Sequence, residues 1–247
     1  MNAEFLFYAN LVLLLRLGLL LSDAPSRAKA WGLKTAAELL GLMLFVPQKF
    51  LWLAAVIVLL MNLAGGLWDR RRSDRNVGHL IIGLGQLVGL SICFSSAAGV
   101  MFRPELLEMA QSLAAWSTMG AVITGLFDLR ILTISFGMLL AANEANLAIR
   151  AVLGGLQLKP NQSPSTPKSL DRGEYNRGRV IGLLERILIY SFVLSGQFGA
   201  IGFTLAAKGF TRFKEMEDRG FAEYVLIGTL LSSGLAMGLG VLVKYIL

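Results

Sequence analysis

Cysteine and histidine are almost absent: each occurs once in 247 residues, and charged residues make up only 16% of the chain. The lone cysteine, Cys93, excludes an internal disulfide and any thiolate-based metal centre. The lone histidine, His79, lies at the start of an apolar stretch and reads as an interfacial residue rather than a ligand, so no metal and no cofactor is expected. Also missing are a phosphate-cradling Walker loop, an HExxH helix, a nucleophile elbow and the paired aspartates of lipid synthases. Gly83-Leu84-Gly85 stands inside an apolar helix with no strand before it, which removes a dinucleotide reading. No catalytic residue is assigned, and a non-enzymatic role is expected.

What fills the chain instead is apolar sequence: 55% hydrophobic residues and a mean hydropathy of +0.64. Soluble domains sit near 45–50% apolar and about 25% charged. One soluble core could not hide this much apolar surface, whereas lipid can. At roughly 20 residues per crossing, the length accommodates about six spans with short connections. The expected fold is therefore an all-α integral membrane helical bundle of about six transmembrane helices plus one interfacial amphipathic helix.

The net charge is +7, but the cations flank apolar stretches instead of forming a nucleic-acid face. Arg70, Arg71, Arg72 and Arg75 follow one stretch, and Lys159, Lys168, Arg172, Arg177 and Arg179 precede another. That is the positive-inside pattern, which reports orientation and contact with anionic headgroups. No nucleic acid is expected. The first stretch carries Glu4 and no cation before its apolar run, the reverse of a signal peptide, so it reads as a retained helix.

In order, the expected elements are a helix over about 4–22, a short one over 35–46, a span over 49–68 and a span over 78–101. An interfacial helix over 104–116 follows, then one long helix over 119–153. Arg16 is expected to snorkel towards the basic side that includes Lys34. Lys34 and Glu38 form an i,i+4 pair, and Asn62 is the one strongly polar residue inside its span. Gly85 and Gly89, like Gly234 and Gly238, have GxxxG spacing, which lets helices approach closely within one chain or between copies. Asp128 and Arg130, two residues apart, need separate partners unless they mark a break at the membrane surface.

Residues 1–158 form the N-terminal membrane helices. Residues 159–176, rich in Pro and Ser, form a cytoplasmic linker, and 177–247 form a C-terminal membrane module. Both flanks of Arg179–Lys208 are basic. A helix broken near Ser195–Gly199 that returns to its starting side explains this; a continuous span with a charged turn is the alternative. Broken helices recur at transporter binding sites. Ionisable groups within apolar helices are costly and face protein or water. The candidate polar intramembrane site is therefore Asn143, Glu144, Asn146, Glu185, Arg186 and Gln197. Glu144 and Glu185 are expected to pair with Arg130, Arg150 or Arg186. Arg70, Arg71, Arg72, Arg75, Lys208, Arg212 and Lys214 form the candidate surface for headgroups or a partner.

Four segments, AANEANLAIRAVLG (Ala141–Gly154), GRVIGLLERILI (Gly178–Ile189), GQFGAIGFTLAAKGFTRF (Gly196–Phe213) and FAEYVLIGTLLS (Phe221–Ser232), occur in that order. Together they resemble the C-terminal half of an uncharacterised family of bacterial multi-spanning membrane proteins, a domain of unknown function. The N-terminal half departs from that family, which opens with an acidic, histidine-bearing helix. The resemblance implies a multi-pass protein of the bacterial inner membrane and no particular activity. From the residues, the leading expectation is a transport or channel-like protein, homo-oligomeric through its small-residue faces. A non-catalytic membrane subunit docking a partner through basic loops comes second, and a lipid-modifying enzyme third.

Overall fold

The computed structural model describes residues 2–21, 27–70, 75–116, 125, 127–156, 172–211, 213 and 219–247. Among these the chain is all-helical, with no strand beyond a single bridge between Phe45 and Phe102. In chain order the helices are α1 (Ala3–Leu21), α2 (Arg27–Leu42), α3 (Lys49–Arg70), α4 (Arg75–Cys93) and α5 (Pro104–Trp116). There follow α6 (Leu129–Ala142), α7 (Glu144–Gly155), α8 (Arg172–Leu194), α9 (Phe198–Thr211) and α10 (Arg219–Ile246). Four helical stretches among the described residues are long and apolar enough to cross a membrane: Lys49–Arg70, Asn76–Cys93, Leu129–Gly155 and Ala222–Ile246.

Two compact units divide the chain, Met1–Leu139 and Leu140–Leu247. The division falls inside α6 rather than at the polar linker, most of which lies outside the described residues.

In the first unit, α1 packs on α2 and α4, and α3 packs on both α2 and α4. The sidedness of these helices is inverted relative to a soluble protein. On α2, Lys34 and Glu38 are buried while Leu33 and Leu40 are 74% and 64% exposed. On α3, Asn62 is buried while Trp52, Leu60 and Leu63 face out; on α4, His79 and Gln86 are buried while Ile81, Val88 and Ile92 face out. In water this arrangement would expose the wrong face of α2, α3 and α4; in lipid, where nothing outside can satisfy a polar group, it is the favourable one.

Several boundaries differ from the sequence expectation. The second helix starts at Arg27, eight residues before Thr35. That puts Trp31 and Lys34 on the buried face of α2 with Glu38 and Leu42. The chain then turns, and Val46 N–H donates to the Met101 carbonyl at 3.0 Å while Arg103 N–H donates to Leu44 at 3.0 Å. Around that tie Phe45, Phe94 and Phe102 pack with Tyr8, Phe7 and Phe127 in stacked and edge-to-face pairs. The fourth helix ends at Cys93, short of Met101, in a 3₁₀ turn closed by Gly99 at φ +63°. Gly85 and Gly89 face α3 within the chain, where a Cβ on Gly89 would lie 3.2 Å from Ile57.

Of the long helix expected over 119–153, the described residues are helical at Gly125 and again from Leu129, with a turn between, and the helix breaks at Asn143. Asp128 sets its start: its Oδ1 accepts from the backbone N–H groups of Arg130 at 2.7 Å and Ile131 at 3.3 Å, an N-cap arrangement. Residues 119–124 and 126 of that expectation lie outside the described residues.

In the second unit α10 packs along α8, and also on α7. Ile189, Val193, Ile201 and Ala236 form the core, flanked by Phe192, Leu205 and Met237. Gly240 allows the close approach, since a Cβ there would sit 2.9 Å from Val193 Cβ and 3.4 Å from the Tyr190 carbonyl oxygen.

Candidate functional site

The break between α8 and α9 is built by its own backbone. Gly196 takes φ +72°, a conformation that favours glycine. Its N–H donates to the Val193 carbonyl at 3.1 Å, and the N–H of Gln197 donates to Phe192 at 2.8 Å. These are the two bonds of a Schellman motif, which ends a helix by satisfying its last carbonyls. α9 then starts at Phe198 and runs back along α8. Glu185 lies twelve positions before Gln197 and Lys208 eleven after it, yet Lys208 Nζ reaches Glu185 Oε2 at 2.5 Å. Only antiparallel arms bring those residues together. The pair is mostly enclosed, its side chains 18% and 12% exposed.

Next to Glu185 on the same helix, Arg186 points elsewhere. Its guanidinium is buried, with Nε donating to the Ala141 carbonyl at 2.9 Å and Nη2 to Ala142 at 3.4 Å. Those carbonyls end α6, where the last helical C=O groups have no intrahelical partner and the dipole favours a cation. One side chain of α8 thus caps the interruption between α6 and α7. Asn143 and Glu144 are buried beside that interruption, and Asn146 is half-buried.

Of the six residues expected to form one polar site, the structure sets Arg186 against the two residues immediately before Asn143 and Glu144. It does not bring Gln197 into that cluster: its side chain is exposed at the hairpin turn. Glu185 pairs with Lys208 rather than with an arginine, which joins a residue of the expected surface set to one of the expected polar site. Of that surface set, Arg70 is exposed at the end of α3. Arg71, Arg72, Arg212 and Lys214 lie outside the described residues, as does the Arg75 side chain.

A second polar cluster, in the first unit, was not assembled from the sequence. Lys34 Nζ meets Glu38 Oε1 at 2.5 Å and donates to Asn62 Oδ1 at 2.6 Å. Asn62 Nδ2 donates to Glu38 Oε2 at 2.6 Å, and Gln86 Nε2 to the same oxygen at 3.1 Å. Tyr8 OH donates to the Glu38 carbonyl at 3.0 Å. All five side chains are buried, and α1, α2, α3 and α4 each contribute. Towards the α2 N-terminus, Asp69 accepts from Trp31 Nε1 at 2.9 Å and pairs with His79 Nε2 at 2.9 Å, while Trp31 stacks on the His79 ring.

Arg16 does not snorkel out. It is buried, and its Nη2 donates to the His79 carbonyl beside Gly83, whose missing side chain leaves room for the guanidinium.

Comparison with known proteins finds no matching family model, no matching curated protein and no matching solved structure.

Proposed function

We propose that the chain is a multi-pass membrane protein of transport or channel type, with its pathway in the C-terminal unit. The observation that carries this is the Glu185–Lys208 pair, held between the arms of a helical hairpin whose turn lies inside an apolar segment. The fourteen residues of α9 extend about 21 Å at 1.5 Å per residue, short of a hydrocarbon core of roughly 30 Å. The hairpin therefore enters and returns, and with the four long helices and α1 it makes about six membrane-embedded elements. Interrupted helices beside ionisable groups are the usual construction of a site for an ion or small polar solute. Here Glu185 is an anion whose present counter-ion is a tethered ammonium, and a mobile cation or proton can exchange with it. The positive-inside pattern places the basic loops in the cytoplasm, and the C-terminal resemblance favours a bacterial inner membrane.

The test is flux in proteoliposomes with a cation-sensitive dye trapped inside. Wild type is expected to exceed empty vesicles, and Glu185→Gln to bring the rate back to the empty-vesicle level while purification profile and thermal unfolding are kept. Equal rates in wild type and empty vesicles across monovalent cations and protons would remove the transport reading.

One observation favours a second reading, a non-catalytic membrane subunit. Lys34, Glu38, Asn62 and Gln86 satisfy one another at close range, which suits a rigid scaffold. Under that reading charge reversal at Arg70–Arg72 removes a co-purifying partner, and Glu185→Gln changes little.

A further inference from the structure

Between α2 and α3 a groove of about 400 Å³ opens on the outer face of the first unit, inside the range of roughly 300–1,000 Å³ typical of ligand pockets. Its long wall is one stripe of α3, Leu59, Leu63 and Leu67, at helical spacing. Gly32 and Gly66 make the room: a Cβ on Gly32 would meet nothing within 4 Å, and one on Gly66 would only approach Trp31 at 3.9 Å. At one end lie Trp31, Asp69 and Arg70.

Length and charge identify the occupant. From Leu59 to Arg70 the wall rises eleven residues, about 16 Å, which is one leaflet of a hydrocarbon core roughly 30 Å thick. Arg70 closes the helix at the end where Trp68 stands, with Trp52 near the opposite end. Trp at both ends of a span marks the two interfaces. The groove thus runs from one headgroup layer to mid-membrane. Its polar end holds one carboxylate and one guanidinium, of which the Asp69 side chain is only 7% exposed, so the charge facing outward is that of Arg70. Both Asp69 oxygens are already engaged, by Trp31 Nε1 and by His79, whereas Arg70 is exposed.

We infer that this groove binds an anionic glycerophospholipid from the Arg70-side leaflet, its phosphate at the Arg70 guanidinium and the Trp31 rim, and one acyl chain along Leu67, Leu63 and Leu59. The inference rests on the membrane embedding of α3, not on the transport reading.

The experiment is native mass spectrometry of the full chain released from detergent, titrated with phosphatidylglycerol or phosphatidylcholine. The expected result is one phosphatidylglycerol retained at collision energies that strip phosphatidylcholine. Gly66→Leu, which fills the groove, is expected to abolish that adduct. Arg70→Gln is expected to weaken phosphatidylglycerol retention roughly fivefold, the scale of one interfacial cation, and leave phosphatidylcholine unchanged. If Gly66→Leu fails to fold, Leu63→Trp fills the groove from an exposed position and decides the matter. Equal retention of the two lipids, or retention indifferent to groove filling, overturns the inference. Release of the protein from membranes by alkaline carbonate would instead overturn the embedding itself.

Discussion

The main polar clusters of the two units hold their ionisable side chains in different ways. In the first, a lysine and a glutamate one turn apart on α2 are closed over by Asn62 and Gln86 from two other helices, so charge is neutralised by charge and each amide finds a side-chain partner. In the second, Arg186 is turned onto backbone carbonyls freed by a helix break, and Glu185 reaches across a hairpin to Lys208. The charged groups of the Lys34–Glu38 cluster are met by side chains, with Arg16 on the His79 carbonyl standing apart from it, while the break in the second unit brings freed backbone carbonyls into the account. Closed networks of the first kind fix packing. Backbone openings of the second kind are where a solute can compete with the protein's own groups.

The sharpest way to break this contrast is to remove Glu38. Glu38→Leu leaves Lys34 buried without its anion and takes the acceptor from Asn62 Nδ2 and Gln86 Nε2. Breaking one half of a buried pair costs on the order of 3–5 kcal/mol, and thermal unfolding in detergent should show a large loss. The double variant Lys34→Met, Glu38→Leu removes both charges and should recover most of it, because paired burial is often no better than apolar filling. A double variant as unstable as the single one would mean that the network does more than neutralise itself.

In the second unit the corresponding change is Arg186→Met, which strips the cap from the Ala141 and Ala142 carbonyls. Hydrogen bonds to a charged donor contribute about 1.5–3 kcal/mol, so a loss of about 2 kcal/mol is expected in the same unfolding assay. Arg186→Lys should recover only part of it, since one ammonium lacks the fork that serves two carbonyls. Full recovery by lysine would show that charge, not geometry, holds the break.

The sequence shows these arrangements to different depths. That the chain is helical and strongly apolar follows from composition, and the Lys34–Glu38 pairing follows from spacing within one helix. The partners of that pair could not be read: Asn62 and Gln86 lie 24 and 48 residues from Glu38, and no local rule links them. Arg16 was misplaced for a related reason. Snorkelling is judged from distance to a helix end, whereas the direction Arg16 takes depends on Gly83 of another helix. The hairpin turn was more legible, because Ser-Gly-Gln after an apolar run carries its own stop signal in Gly196. The Glu185–Lys208 contact was not, since it appears only once the arms are known to run antiparallel.

The smallest expected stability effect is the most informative about function. Glu185 and Lys208 keep 12% and 18% of their side-chain surface open, against 0% and 2% for Glu38 and Lys34, so their coupling should fall below the scale of a fully buried pair. Glu185→Gln, which keeps a hydrogen-bonding group opposite Lys208, should therefore shift unfolding by less than Glu38→Leu does. A cycle with Lys208→Met gives the coupling directly: if the pair is a weak latch, the two single changes add to within a few tenths of a kcal/mol of the double. A coupling as large as that between Lys34 and Glu38 would make the hairpin a second structural lock and draw the two units together. A weak coupling accompanied by loss of flux would separate them, because an interaction that contributes little to holding the fold yet controls passage is one the protein keeps for exchange.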